Sequence, residues 1–226
     1  MIMIAQKLTP LWETIVRLRW LLFIIGSFYL GSLAGGVVVG RFAPPAVHSQ
    51  FAVDERQTIE SVEKIFGRFR TPVREGRVTT IVVCSGLVFG INLLGSVLNT
   101  LSSVFLVPVC FHLGIGGWIQ GVSLAQLQAT SCFSLLFFLL MGSLEWLTYP
   151  LAAAAGVNVG LSVLWPKWQN TASRRSALGL AWRDTRRLFL LIAAILLVQA
   201  ILEMLYVRQV LLHGGSGVPL APSARF

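Results

Sequence analysis

The chain has 226 residues, of which 55% are hydrophobic and only 12% are charged. A soluble domain carries about 25% charged residues, and residues 78–144 contain no Asp, Glu, Lys or Arg, so the composition excludes a soluble globular fold. The net charge of +9 does not indicate nucleic-acid binding, because the basic residues fall at the ends of apolar segments, as membrane topology requires. We therefore expect an all-α, polytopic transmembrane helical bundle that forms a single membrane domain over residues 1–226. We expect this domain to lie in the lipid bilayer and not to bind nucleic acid.

Five apolar segments are long enough to cross the hydrocarbon core, which takes about 20 residues in a helix. In chain order they are residues 20–40, 78–98, 101–122, 131–165 and 188–207. The first exceeds the apolar run of a cleaved signal peptide. The second and third are separated by little more than Asn99-Thr100, which predicts a tight antiparallel hairpin.

An amphipathic helix is predicted outside the bilayer, between the first two spans. Ile59, Val62, Phe66 and Phe69 recur at helical spacing, which indicates a helix over residues 54–69. This helix either lies on the bundle and the lipid head groups or offers a docking face to a partner.

The fourth segment is irregular. A straight helix over residues 131–165 would reach about 50 Å, against a hydrocarbon core of about 30 Å. Gly142 and Pro150 are candidate breaking points. We therefore expect a long, broken span, with a short entering or re-entrant piece and then a main helix from about residue 142 to 164, kinked near Pro150.

Residues 166–187 form a predicted basic loop, and this loop sets the orientation. Short basic loops stay in the cytoplasm, and counting back through four crossings places the N-terminus in the cytoplasm as well. The C-terminus and the predicted helix over residues 54–69 are then external. The expected location is a bacterial inner (plasma) membrane or another energised internal membrane.

Polar residues inside the spans are the candidate functional groups. An ionisable side chain at mid-helix costs roughly 2.5–3.5 kcal/mol on insertion scales, and the spans contain Glu145, Glu203 and His112. We expect the two glutamates at comparable depth, where they either form a proton or cation pathway or make structural hydrogen bonds between helices. His112, Asn92 and Asn158 are predicted to hydrogen-bond between helices.

Small residues are predicted to hold the helices together, because glycines four residues apart let helix backbones approach closely. The expected packing residues include Gly117, Gly121, Gly156 and Gly160, with Gly142 at the break. Five such pairs occur, which predicts a compact bundle or a homo-oligomer: Gly31/Gly35, Gly36/Gly40, Gly86/Gly90, Gly117/Gly121 and Gly156/Gly160.

No pattern of residues predicts catalysis. The sequence has no metal-ligand motif, and Cys84, Cys110 and Cys132 lie in apolar runs as small hydrophobic residues. We therefore expect no enzyme activity, no catalytic residue, no metal and no cofactor.

Two short motifs resemble the signature of the stage II sporulation protein M family. Gly142-Ser143-Leu144-Glu145 precedes an alanine run that ends in Gly156, and Ala200-Ile201-Leu202-Glu203 is similar to the family's closing motif. Leu140-Met141 stand where the family has Pro-His, and the family's Asn-Gly element in the third span has no clear counterpart. The resemblance implies a multi-pass protein, whose best-understood relatives anchor peptidoglycan-degrading partners.

Two functions follow as hypotheses. The first is a non-enzymatic membrane scaffold or subunit that anchors or stabilises partner proteins in a membrane complex. The second is a permease-like subunit of a transport system that works with a cytoplasmic ATPase.

Overall fold

The computed structural model describes residues 2–42, 67–125 and 132–212. Within these ranges the chain forms six α-helices and two short 3-10 turns, and no strand. The helices are α1 (Ile2–Phe42), α2 (Arg70–Arg74), α3 (Val78–Ser103), α4 (Val107–Ala125), α5 (Cys132–Leu164) and α6 (Arg174–Leu212). The all-α prediction is confirmed. The helix predicted over residues 54–69 lies outside the described residues, apart from a 3-10 turn over Gly67–Phe69.

Four of these helices contain segments that are long and apolar enough to cross a membrane: Pro10–Phe42, Val78–Ser103, Leu139–Leu164 and Arg174–Gln209. A fifth apolar segment, Val109–Ala125 in α4, is shorter. The structure thus agrees with a helical bundle of about five spans.

The turn between the second and third spans lies farther along the chain than the sequence predicts. Helix α3 continues through Asn99 and Thr100 to Ser103, and Leu106 in the following turn has a φ of 61°. Asn99 and Thr100 are buried against α5, where their side chains hydrogen-bond to backbone carbonyls. The predicted turn at Asn99-Thr100 is therefore wrong, because these polar residues join two helices.

The fourth span is one continuous helix, α5, with Pro150 inside it. Proline removes a backbone donor, and neighbouring side chains can supply hydrogen bonds to the backbone around it. Asn99 donates to the carbonyl oxygen of Tyr149 at 3.1 Å, and Thr100 donates to that of Ala152 at 2.9 Å. The predicted break and separate entering piece are therefore wrong.

The predicted basic loop is mostly helical. Pro166–Gln169 form a 3-10 turn that ends at Asn170, whose φ of 53° is left-handed, and α6 already begins at Arg174. The fifth span is thus the continuation of a longer helix, α6. The first turns of α6 carry most of the basic residues of the predicted loop.

Helices that are consecutive in the chain alternate in direction, so the packed pairs α1/α4 and α3/α5 run parallel, and α5 lies at the centre of the bundle. Residues 151–158 of α5 are all buried. Helix α1 packs mainly on α4, α6 packs mainly on α5, and α3 packs on both α5 and α6. Helices α3 and α4 are consecutive in the chain but share few contacts. The two helices of the predicted tight hairpin therefore separate after the turn that joins them.

The contacts between helices define two opposite ends of the bundle. At one end Arg17 of α1 pairs with Asp184 of α6, and Gly160 of α5 packs on Val104 at the end of α3. At the other end the guanidinium of Arg208 packs on Gly76, whose φ is 74°. The first end carries the α3–α4 turn and the start of α6, and the second carries α2 and the end of α6.

Candidate functional site

A buried carboxyl group lies at the centre of the polar interior. Glu145 of α5 is 1% exposed, and the hydroxyl of Tyr149, one helical turn later, donates to its Oε1 at 2.9 Å. Its other oxygen, Oε2, is buried and has no hydrogen-bond partner within the described ranges. Burying a polar atom without a hydrogen bond is energetically costly.

Tyr149 connects this carboxyl group by hydrogen bonds to two further helices, α1 and α4. The hydroxyl of Tyr29 in α1 donates to Oε1 of Gln120 in α4, and Gln120 also hydrogen-bonds to Tyr149 in α5. A continuous polar series therefore runs Tyr29–Gln120–Tyr149–Glu145. Tyr29, Gln120 and Tyr149 were not predicted from the sequence, where the isolated Gln120 in an apolar span is the signal that could have found them.

A second polar series joins α3 to α6. The amide of Asn92 donates to Oε1 of Gln199 at 3.1 Å, and the amide of Gln199 donates to Oε2 of Glu203 at 2.9 Å. Glu203 is 3% exposed and lies close enough to Glu145 for the two carboxyl groups to interact electrostatically. The structure thus places both predicted glutamates in the interior, on the facing helices α5 and α6.

His112 does not join helices within the described part of the chain. Its side chain lines a cavity of about 610 Å³ and has no hydrogen bond to the described residues. The interhelical hydrogen bond predicted for it is therefore absent from this part of the structure.

The glycine pairs fall into two groups. Gly117 and Gly121 of α4 pack on the backbone of α1, and Gly156 and Gly160 of α5 pack on the end of α3 and the turn after it. Gly36 and Gly40 form the matching surface of α1. A Cβ added to any of Gly31, Gly35, Gly86 or Gly90 would instead meet no atom of the described residues within 4 Å. Gly142 contacts Trp146 of its own helix.

Two further polar clusters lie near the start of α6, and of their central residues Asn158 was predicted to hydrogen-bond between helices, whereas Asp184 was not predicted. Asp184 is fully buried and accepts hydrogen bonds from Arg17 at 3.0 Å and Thr14 at 3.1 Å. Asn158 is also fully buried, and its Oδ1 accepts hydrogen bonds from Trp168 and Gln169. Both clusters join the start of α6, or the turn before it, to an earlier helix, a pairing that cannot be read from sequence spacing.

The described residues contain no group of three or more His, Cys, Asp or Glu side chains that could hold a metal ion. The polar groups that the structure brings together are carboxyl, amide and phenol groups, which form hydrogen bonds inside a low-dielectric interior. This arrangement can stabilise a bundle or hold a proton.

Long apolar helices around a buried polar interior define this chain as a multi-pass helical membrane protein. Comparisons with protein-family models, with curated proteins and with solved structures find no match.

Proposed function

We propose that the protein is a non-enzymatic scaffold or subunit that anchors or stabilises partner proteins in a membrane complex. The observation that carries this proposal is the contrast between the two groups of glycine pairs. Gly117/Gly121 and Gly156/Gly160 are covered by neighbouring helices, whereas Gly31/Gly35 on α1 and Gly86/Gly90 on α3 are uncovered. In lipid, small residues are enriched where helix backbones meet, so the uncovered pairs fit transmembrane helices of partners, including a second copy of this chain.

The resemblance to the stage II sporulation protein M family supports the same role, since its best-understood relatives are multi-pass anchors. We propose further that the N-terminus lies in the cytoplasm and the C-terminus outside, in a bacterial inner membrane or another energised internal membrane. The basic residues near the start of α6, among them Arg174, Arg175 and Arg183, support this orientation.

The test is to fill the uncovered glycine surfaces. The variant with both Gly31→Leu and Gly35→Leu, and the variant with both Gly86→Leu and Gly90→Leu, should fold normally because their side chains enter open space. At least one should lose the larger complex that the native protein forms in mild detergent, as measured by native electrophoresis and mass spectrometry. The control replaces two exposed bulky residues of α1, Val38→Leu with Val39→Leu. Retention of the complex by both glycine variants would contradict the proposal.

A second candidate function is a permease-like subunit that works with a cytoplasmic ATPase. The observation that favours it is the buried Oε2 of Glu145, which has no partner within the described ranges, close to a second carboxyl group on Glu203. Ionisable groups inside a membrane often mark a proton or ion path.

The variants Glu145→Gln and Glu203→Gln separate the two candidates, because glutamine keeps the shape of the side chain and removes its titratable group. A scaffold should keep its partners and its melting temperature in both variants. A permease-like subunit should fold and assemble normally but lose proton-dependent uptake in membrane vesicles. The exposed Glu75→Gln serves as the control for a change of charge alone.

A further inference from the structure

A cavity lies beside the polar interior, between α4 and the helices α1, α3 and α5. Its volume is about 610 Å³, which is within the usual range for small-molecule sites. Helix α4 forms one wall, and Tyr29 of α1, Ser102 of α3 and Tyr149 of α5 contribute to the other. The cavity exists because α4 packs mainly on α1 and makes few contacts with α3 or α5.

Three residues of α4 form a stripe along this cavity. His112, Gly116 and Gln120 follow one another at four-residue spacing, so they share one face of the helix. Gly116 has no atom within 4 Å of the position that a Cβ would occupy, which leaves open space in the middle of the stripe. His112 and Gln120 place hydrogen-bonding groups on either side of that space.

The cavity opens toward lipid. Phe111 and Ile115, which line it, are 66% and 56% exposed and lie on the shorter apolar helix α4. A molecule from the bilayer therefore reaches the cavity without crossing water, and its apolar part would contact these side chains.

The polar side of the cavity matches a neutral head group. Among the described residues no Lys, Arg, Asp or Glu lines the cavity, and none occurs anywhere in residues 78–144, so these residues supply no permanent charge to pair with a phosphate or an ammonium group. The imidazole of His112 has two ring nitrogens that can form hydrogen bonds, and the amide of Gln120 has one N–H left to donate after its hydrogen bond to Tyr149. The hydroxyl oxygen of Tyr29, whose proton is donated to Gln120, is a further acceptor.

We propose that this cavity is a binding site for a neutral lipid whose head group carries both hydroxyl and carbonyl groups. His112 and Gln120 bind the head group by hydrogen bonds, and Phe111 and Ile115 contact its hydrocarbon part. The site is independent of the scaffold role, because it lies apart from the uncovered glycine pairs of α1 and α3.

The test uses the purified full chain in detergent and dioctanoylglycerol as the probe, with native mass spectrometry as the readout. We expect saturable one-to-one binding that an excess of dioctanoyl-phosphatidylglycerol does not displace. Gly116→Leu fills the open space and should weaken binding more than about tenfold, which corresponds to about 1.4 kcal/mol. The matched control is Gly95→Leu on α3, which also adds a side chain where no atom lies within 4 Å but is outside the cavity.

A second variant tests the polar side without filling space near the backbone. His112→Phe keeps an aromatic ring and removes both hydrogen-bonding nitrogens, so binding should weaken by roughly three- to tenfold, the range expected for one neutral hydrogen bond. Both variants should melt like the native protein. Absence of binding to the native chain, equal binding by Gly116→Leu, or displacement by the anionic lipid would each overturn the proposal.

Discussion

At the scale of single residues, the same glycine spacing has two different structural meanings in this protein. A side chain at Gly156 would collide with the carbonyl oxygen of Thr100, and its Cβ would lie 2.7 Å from the Cβ of Ser103. Gly86 and Gly90 have the same spacing and touch nothing within 4 Å. The close approach of α5 to α3 therefore depends on the absence of a side chain at Gly156, whereas the glycines of α3 are dispensable for the fold of one chain.

The first prediction follows from that contact. Gly156→Leu should lower the stability of the bundle by at least about 1–3 kcal/mol, the usual cost of overpacking an ordered core, because the collision is with backbone that cannot move aside. Thermal unfolding in detergent measures the effect. Val163→Leu, at a position 42% exposed on the same helix, should leave the melting temperature unchanged. A native melting temperature for Gly156→Leu would mean that α5 and α3 are not in contact here.

At the scale of elements, the first turns of α6 are fixed to α1 by a buried charge. The carboxyl group of Asp184 accepts hydrogen bonds from Arg17 and Thr14, and the guanidinium of Arg187 also donates to Thr14 at 3.3 Å. Hydrogen bonds to charged groups contribute more than neutral ones. This cluster therefore sets how the first and last long helices meet.

The second prediction removes that charge. Asp184→Asn should destabilise the bundle by about 1.5–3 kcal/mol, the usual contribution of a hydrogen bond to a charged group, as measured by thermal or denaturant unfolding in detergent. The control is Glu75→Gln, which breaks a 2.9 Å ion pair with Arg77 between exposed side chains and should change stability by less than about 1 kcal/mol. Equal effects of the two substitutions would contradict the assigned role of Asp184.

At the scale of the whole molecule, the alternating helices place the α3–α4 turn and the start of α6 at one end, and α2 at the other. The third prediction uses single cysteines on a background without the three native ones. Thr71→Cys in α2 should react with an impermeant thiol reagent in intact cells. Phe105→Cys in the turn and Ala172→Cys before α6, both at exposed positions, should react only after lysis.

The three labelling sites test different parts of the arrangement. If Phe105→Cys and Ala172→Cys label in different compartments, the number of crossings between them is wrong. If Thr71→Cys instead labels only after lysis, and Phe105→Cys and Ala172→Cys both label in intact cells, the helix arrangement is right and the proposed orientation is inverted.

Much of this architecture could be predicted from the sequence, because long apolar runs in a chain with few charges have few alternatives to membrane helices. The missed features share one physical cause. Asn99, Thr100 and Pro150 weaken a helix when read alone, but side-chain hydrogen bonds from α3 to backbone carbonyls of α5 join the two helices beside the proline. Local sequence does not contain that partner.

The polar interior was predicted only in part, for a related reason. Glu145 and Glu203 could be predicted because carboxyl groups are rare in apolar membrane segments. Tyr29 and Tyr149 count as hydrophobic residues in composition and hydropathy, and their hydroxyl groups matter only once the fold brings Gln120 between them. Which glycines are covered likewise depends on how the helices are arranged, and the spacing alone does not determine it.

The separation of α3 from α4 has a consequence for biosynthesis. These two helices leave the ribosome consecutively, yet α4 finds its main partner in the earlier α1, and α3 finds its partners in α5 and α6, which are made last. After synthesis of Ala125 the chain thus contains one completed helix pair and one helix without its neighbours. A nascent chain arrested at that point would leave the buried face of α3, including Asn99 and Thr100, without the helices that cover it.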